Sequence, residues 1–112
     1  MFVLASCSKS NKLNKRLDGT WNVVKINENA VPTGFSYTLK FTKEKDGKGA
    51  FTFTTTTLTI PVTQTGTYSL IDDTKLVMTY SAQDIDTLTV VSYSKTDLKL
   101  NDGEQNWELK KQ

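Results

Sequence analysis

The sequence predicts an all-β fold, an antiparallel up-and-down meander barrel of about eight strands, with a β-sandwich as the alternative. Three observations lead there. From Gly19 onward apolar and polar residues alternate with period two, and nothing helical is read beyond a short turn at Leu13 to Leu17. The alternating runs recur roughly every 8–12 residues between turn-forming clusters. Thr is abundant, with Val, Tyr and Phe alongside, and these residues fit a pleated, half-buried surface.

The elements follow in order. GTWNVVKIN (Gly19 to Asn27) is a first strand. FSYTLKFTK (Phe35 to Lys43) sets Phe35, Tyr37, Leu39 and Phe41 on one face and Ser36, Thr38, Lys40 and Thr42 on the other. EKDGKG (Glu44 to Gly49) is a hairpin turn. Phe51, Phe53, Thr55 and Thr57 then share a face, after which the apolar positions become even: Leu58, Ile60, Val62, Tyr68 and Leu70. Such a parity switch demands a turn or bulge, so Thr54 to Thr57 is a hairpin end or bulged corner. Pro61 falls on the outward face, where a missing N–H is best tolerated, and Gly66 marks a bend. IDDTK (Ile71 to Lys75) turns into a strand with Leu76, Met78 and Tyr80 on one face, and SAQDID is a loop. TLTVVSYSK (Thr87 to Lys95) is a strand whose inward pair is either Leu88 with Val90 or Val91 with Tyr93. Leu98 and Leu100, the turn Asn101 to Gly103, and a last strand with Trp107 and Leu109 inward complete the series. Short successive hairpins favour the closed meander, which leaves no open edge.

A chain of 112 residues makes one domain with one small core. Its formal charge of +2 gives no field that would draw it to nucleic acid. It contains no histidine and one cysteine, which removes the commonest general base, the commonest zinc ligand, every Ser-His or Cys-His pair and any internal disulfide. The expectation is a protein that is not an enzyme, with no cofactor and no metal. Asp72-Asp73 and Asp84-x-Asp86 read as turn chemistry rather than a calcium loop. Lys43, Lys45 and Lys48, mixed with Glu44 and Asp46, read as a solvated turn.

The chain opens MFVLASCSKS, and Leu4-Ala5-Ser6-Cys7 resembles the lipobox of bacterial lipoproteins, in which two small residues admit the chain to the signal peptidase and the thiol accepts the acyl groups. A polar stretch, SKSNKLNKR, follows as a tether. A signal peptide carries an apolar stretch of roughly 7–15 residues after a basic region. Only Met1 to Ala5 precede the motif here, so the true start is expected upstream. The domain plan is residual signal peptide over 1–6, acylated Cys7 and flexible tether over 7–16, and barrel over 17–112. The resemblance implies a membrane anchor through acyl groups on Cys7 in a Gram-negative envelope. Ser8 after the cysteine points to the outer membrane, and a tether without an acidic cluster points to its periplasmic face. Lys9, Lys12, Lys15 and Arg16 suit anionic headgroups or plain solvent.

The body resembles the small lipocalin-like lipoprotein domains of Bacteroidetes. Leu17-x-Gly19-x-Trp21 is similar to the lipocalin Gly-x-Trp opening, Gly66-Thr67-Tyr68-Ser69-Leu70 to the central hairpin, and Leu98-x-Leu100 with Trp107-Glu108-Leu109-Lys110 to the closing strands. The resemblance implies a barrel with Trp21 at its base, and a fold more firmly than a function. The interior is expected to include Leu58 and Ile60 and, as ligand-binding candidates, Trp21, Phe41, Phe53, Tyr68, Met78, Tyr80 and Trp107. These residues suit an apolar pocket with Tyr hydroxyls orienting a small apolar or amphipathic ligand, and they also suit plain core packing, for which a chain this small needs most of its apolar residues. A second function is a protein-interaction lipoprotein, such as an inhibitor of a protease or lysozyme, acting on an envelope partner through loops Asn29 to Gly34 and Ser81 to Asp86. A third is a plain envelope component.

Overall fold

The computed structural model describes residues 12–112 except 46, 73, 82 and 83. The strands are β1 (Gly19–Ile26), β2 (Asn29–Ala30), β3 (Phe35–Lys45), β4 (Lys48–Thr57), β5 (Ile60–Ile71), β6 (Lys75–Ser81), β7 (Asp84–Tyr93), β8 (Asp97–Asn101) and β9 (Asn106–Lys111). Strands β3 to β9 pair antiparallel in succession, and β1 bonds to β3 on one side and β9 on the other. The ring therefore closes as an up-and-down barrel, with the short β2 extending β1 beyond β3. The meander predicted from period two is the observed architecture, and the sandwich is not.

Two bulges reconcile period two with closure. Between Val23 and Lys25 the register against β9 slips by one, so Trp21, Val23 and then Ile26 turn toward the core. Between Val90 and Ser92 the register against β8 slips likewise: Val90 opposes Leu100 and Tyr93 opposes Leu98. Val91 is the extra residue and is 56% exposed. Of the two inward pairs left open for this strand, Leu88 with Val90 is right in full, and Val91 with Tyr93 is right for Tyr93 alone. Leu88 and Val90 face inward before the bulge, Tyr93 after it.

The parity switch after β4 is a tight hairpin at Leu58 and Thr59, placed between the paired Thr57 and Ile60, with Leu58 at positive φ. The run Thr54 to Thr57 is the strand's end and contains no bulge. Leu58 and Ile60, expected inside, are 75% and 66% exposed. The reason is strand length. β5 pairs with β6 only from Thr67, and β3 pairs with β1 only from Thr38, so the outer parts of β3, β4 and β5 overhang the ring as a three-stranded lip. Pro61 sits on the free edge of this lip, where no neighbour asks for its N–H. Gly66 does not bend β5; it lies opposite Phe51 and leaves room for its ring.

The opposite end is closed by a helical segment. Residues 12–17 are helical, and Leu13, Asn14 and Leu17 are fully buried. This corrects the flexible tether expected over 7–16 for its last part: Leu13 and Leu17, one turn apart, face the barrel base and bury there. The lipobox, Cys7 and the rest of the tether lie outside the described residues. The Asn14 amide donates to the Lys48 carbonyl at 3.4 Å, and its side-chain oxygen accepts from the Tyr68 hydroxyl. Trp21 Nε1 donates to the Leu17 carbonyl at 2.9 Å. Lys111 lies over the Trp21 ring and donates to the Arg16 carbonyl, tying β9 to the helix.

Candidate functional site

The barrel has a packed half and an open half. In the packed half, Phe41 meets Tyr68 edge-on at 5.2 Å, and Tyr68 bonds to the helix. Burial pushes the Tyr68 hydroxyl far above its ordinary pKa, with the Asp18 and Glu44 charges adding to the effect, so it stays a neutral donor. In the open half, away from the helix, is a cavity of about 390 Å³. Its floor and walls are apolar: Val23, Leu39, Met78, Leu88, Leu100 and Leu109.

Of the residues proposed as ligand-binding, the structure brings Phe53, Met78, Tyr80 and Trp107 together around this cavity. Trp21, Phe41 and Tyr68 do not line it. They are packed at the closed end, where Trp21 and Tyr68 bond to the helix and Phe41 packs against Tyr68. Tyr37 bridges two of the lining residues, stacking on Phe53 at 6.3 Å and meeting Trp107 edge-on at 6.1 Å. Tyr80 packs edge-on against Phe51 at 5.0 Å. Its pKa is raised, first by burial and then by the charges of Asp86 and Asp84.

Sequence reasoning missed the carboxylates of the rim. Asp86, Asp102 and Glu104 all line the cavity. Asp86 pairs with Met78 across β6 and β7, which turns it to the inner face. The available signal was parity, since Asp86, Leu88 and Val90 are two apart. Asp102 organises the β8–β9 turn: it accepts from the backbone N–H groups of Glu104 and Gln105 at 2.9 and 2.7 Å and from Trp107 Nε1 at 3.0 Å. Partial burial works to raise its pKa, but these donors outweigh it and hold the carboxyl below its ordinary value. A depressed folded pKa means the contribution to stability is complete above the unfolded pKa and is lost as pH falls through the folded one. The Trp107 indole N–H resonance is therefore expected to hold its position across the ordinary carboxylate range and to move only at lower pH. Movement centred on the ordinary Asp pKa would refute this.

Of the loops proposed for partner binding, Asn29 to Gly34 is strand only at its first two residues, while Ser81 to Asp86 is strand at its described residues. Asn29–Ala30 pairs with β1, Ser81 ends β6 and Asp84 begins β7. Ile26, Asn27 and the positive-φ turn there hold the β9 end instead, with Asn106 N donating to Asn27 Oδ1 at 2.8 Å.

The model of the lipocalin-like domain matches residues 17–100, most of the barrel. The chain belongs to the lipocalin-like domain family. Among solved structures, it is similar to a lipocalin-like protein from Bacteroides uniformis, with a TM-score of 0.66 and 18% identity, over 87% of this chain and 99% of that one. At that identity the likeness is one of fold. No curated protein matches the chain. The closed barrel with Trp21 at its base, implied by the Gly-x-Trp opening, is thus the fold of the family and of this molecule.

Proposed function

We propose that this protein binds a small apolar or amphipathic molecule in the open half of its barrel, while anchored to an envelope membrane through Cys7. The observation that carries the binding reading is the division of the interior. A barrel that only needed a core would fill both ends, whereas here a helix seals one end and a cavity of about 390 Å³, walled by aliphatic and aromatic side chains, opens at the other. The size falls in the range of small-molecule sites. The anchoring reading rests on the LASC motif and its polar sequel.

Leu88 lines the cavity from β7 and is only half-buried, so a larger ring there has space to enter. Leu88→Trp is expected to leave the fold intact and to abolish occupancy. Native mass spectrometry of the protein recovered gently from a Gram-negative envelope reads this directly. The expected result is an added mass, released by organic solvent, in the parent chain and none in the variant. A clean apo mass in both contradicts the binding reading. Anchoring is tested by labelled palmitate in cells carrying the gene with its upstream codons: the parent incorporates label and Cys7→Ser does not. Equal labelling, or none in either, contradicts the anchor.

A further inference from the structure

We infer that the cavity selects a cationic amphiphile, a molecule with an apolar chain and an ammonium-type head. The inference rests on the ligand-binding reading above and names the class of ligand. The chain as a whole is basic, with 14 Lys and Arg against 12 Asp and Glu. The cavity runs against that balance. Its lining contains Asp86, Asp102 and Glu104, and among the described residues around it there is no Lys or Arg. The described salt bridge, Lys110 with Asp97, belongs to the outer face of β8 and β9 and does not engage a rim carboxylate. Six of the described cations lie at the closed end, Lys12, Lys15 and Arg16 on the helical segment and Lys43, Lys48 and Lys111 on the strands that meet it, while Lys25, at the open end of β1, is not among the lining residues.

The acids are also confined to one side of the mouth. Asp86 is on β7, and Asp102 and Glu104 are on the β8–β9 turn. Across from them rises the lip of β3, β4 and β5, which presents Phe35, Ile60 and Val62 on its inner face. Below both lie the aliphatic walls. An apolar chain has somewhere to go, and a positive head has three exposed carboxylates at the entrance, whose attraction is open to screening by salt. Asp102 is committed to its turn, with N–H donors on both oxygens, and contributes charge. Asp86 and Glu104 are the carboxylates placed to meet the head. An anionic head would face all three at once.

Isothermal titration calorimetry with decylammonium, decanol and decanoate tests this on the whole chain. Decanol is the most hydrophobic in bulk partition, so preference for the ammonium reports the site and not the chain. Decylammonium is expected to bind about ten-fold more tightly than decanol, with decanoate weakest. Raising salt should weaken the ammonium and leave decanol unchanged. The double variant Asp86→Asn, Glu104→Gln should lose the preference while keeping decanol affinity. Equal or tighter binding of decanol or decanoate overturns the inference and leaves the ligand-binding reading standing. A preference that survives in the double variant, or that ignores salt, also overturns it. Failure of all three probes to bind the parent overturns both readings.

Discussion

Trp21→Ala is expected to cost about 3–5 kcal/mol of stability, enough to unfold a chain of this size or lower its Tm by more than about 15 °C. Trp21 is fully buried, the largest side chain that is, and stands where three elements meet. Its ring faces the base of the barrel, its Nε1 donates to the Leu17 carbonyl, and Lys111 covers it from β9. Truncation removes the apolar contact, opens a void under the helix and takes the hydrogen bond from a buried carbonyl. Trp21→Phe separates these effects. It keeps most of the ring and removes the N–H, and should cost about 1–2 kcal/mol. Urea unfolding of both variants decides the matter; an alanine variant within about 1 kcal/mol of the parent would mean that the helix does not depend on this residue.

Gly66→Ala is the second large effect, and its cause is the opposite one, too much volume. A Cβ at position 66 would lie 2.2 Å from the Thr79 carbonyl oxygen and 2.8 Å from the Phe51 ring. The oxygen is backbone of β6, so it cannot move aside without opening the β5–β6 ladder where that ladder begins, at Thr67 and Thr79. Phe51 in turn is fixed against Tyr80 on the cavity side. The expected loss is about 3 kcal/mol, the upper end of the overpacking range. Because Tyr80 moves with Phe51, probe binding should weaken beyond what the unfolded fraction explains. Unchanged stability in Gly66→Ala would show that β5 and β6 separate more readily than this packing allows.

Much of the barrel was legible because period two is a local signal. Phe35 to Phe41 alternates without interruption, and Trp107 with Leu109 places β9. What the period does not carry is where a strand's partner ends. Leu58, Ile60 and Val62 have inward parity in sequence and are exposed in the structure, since β6 and β1 stop short of them. The bulge at Val91 was legible only as an ambiguity, which is what a one-residue slip looks like in a pattern of period two. The helix at 12–17 is legible only as a short turn at Leu13 to Leu17, because the two leucines stand among Lys, Asn and Arg and a pair one turn apart is a faint helical signal.

The candidate site divides in the same way. Its apolar members, Phe53, Met78, Tyr80 and Trp107, were found as inward residues, but so were Trp21, Phe41 and Tyr68, which share their parity and lie at the other end. Parity tells inside from outside and is silent about position along the barrel axis. That coordinate comes from the cross-strand register and from the helix that seals one end. Asp86 and Asp102 of the rim fall in segments that read as turns, and Asp102 is a turn residue; its role at the cavity follows from the fold of that turn over the mouth.

The measurement that tests the central claim most directly uses the two methionines. Only Met1 and Met78 are present, and Met78 is buried in the cavity wall. Carbon-13 methyl labelling therefore gives one resonance, that of Met78, inside the site. On titration with decylammonium, the Met78 methyl should shift saturably, in step with the calorimetric affinity. A Met78 resonance that does not move while the probe binds would place binding elsewhere and contradict a ligand site in the open half of this barrel.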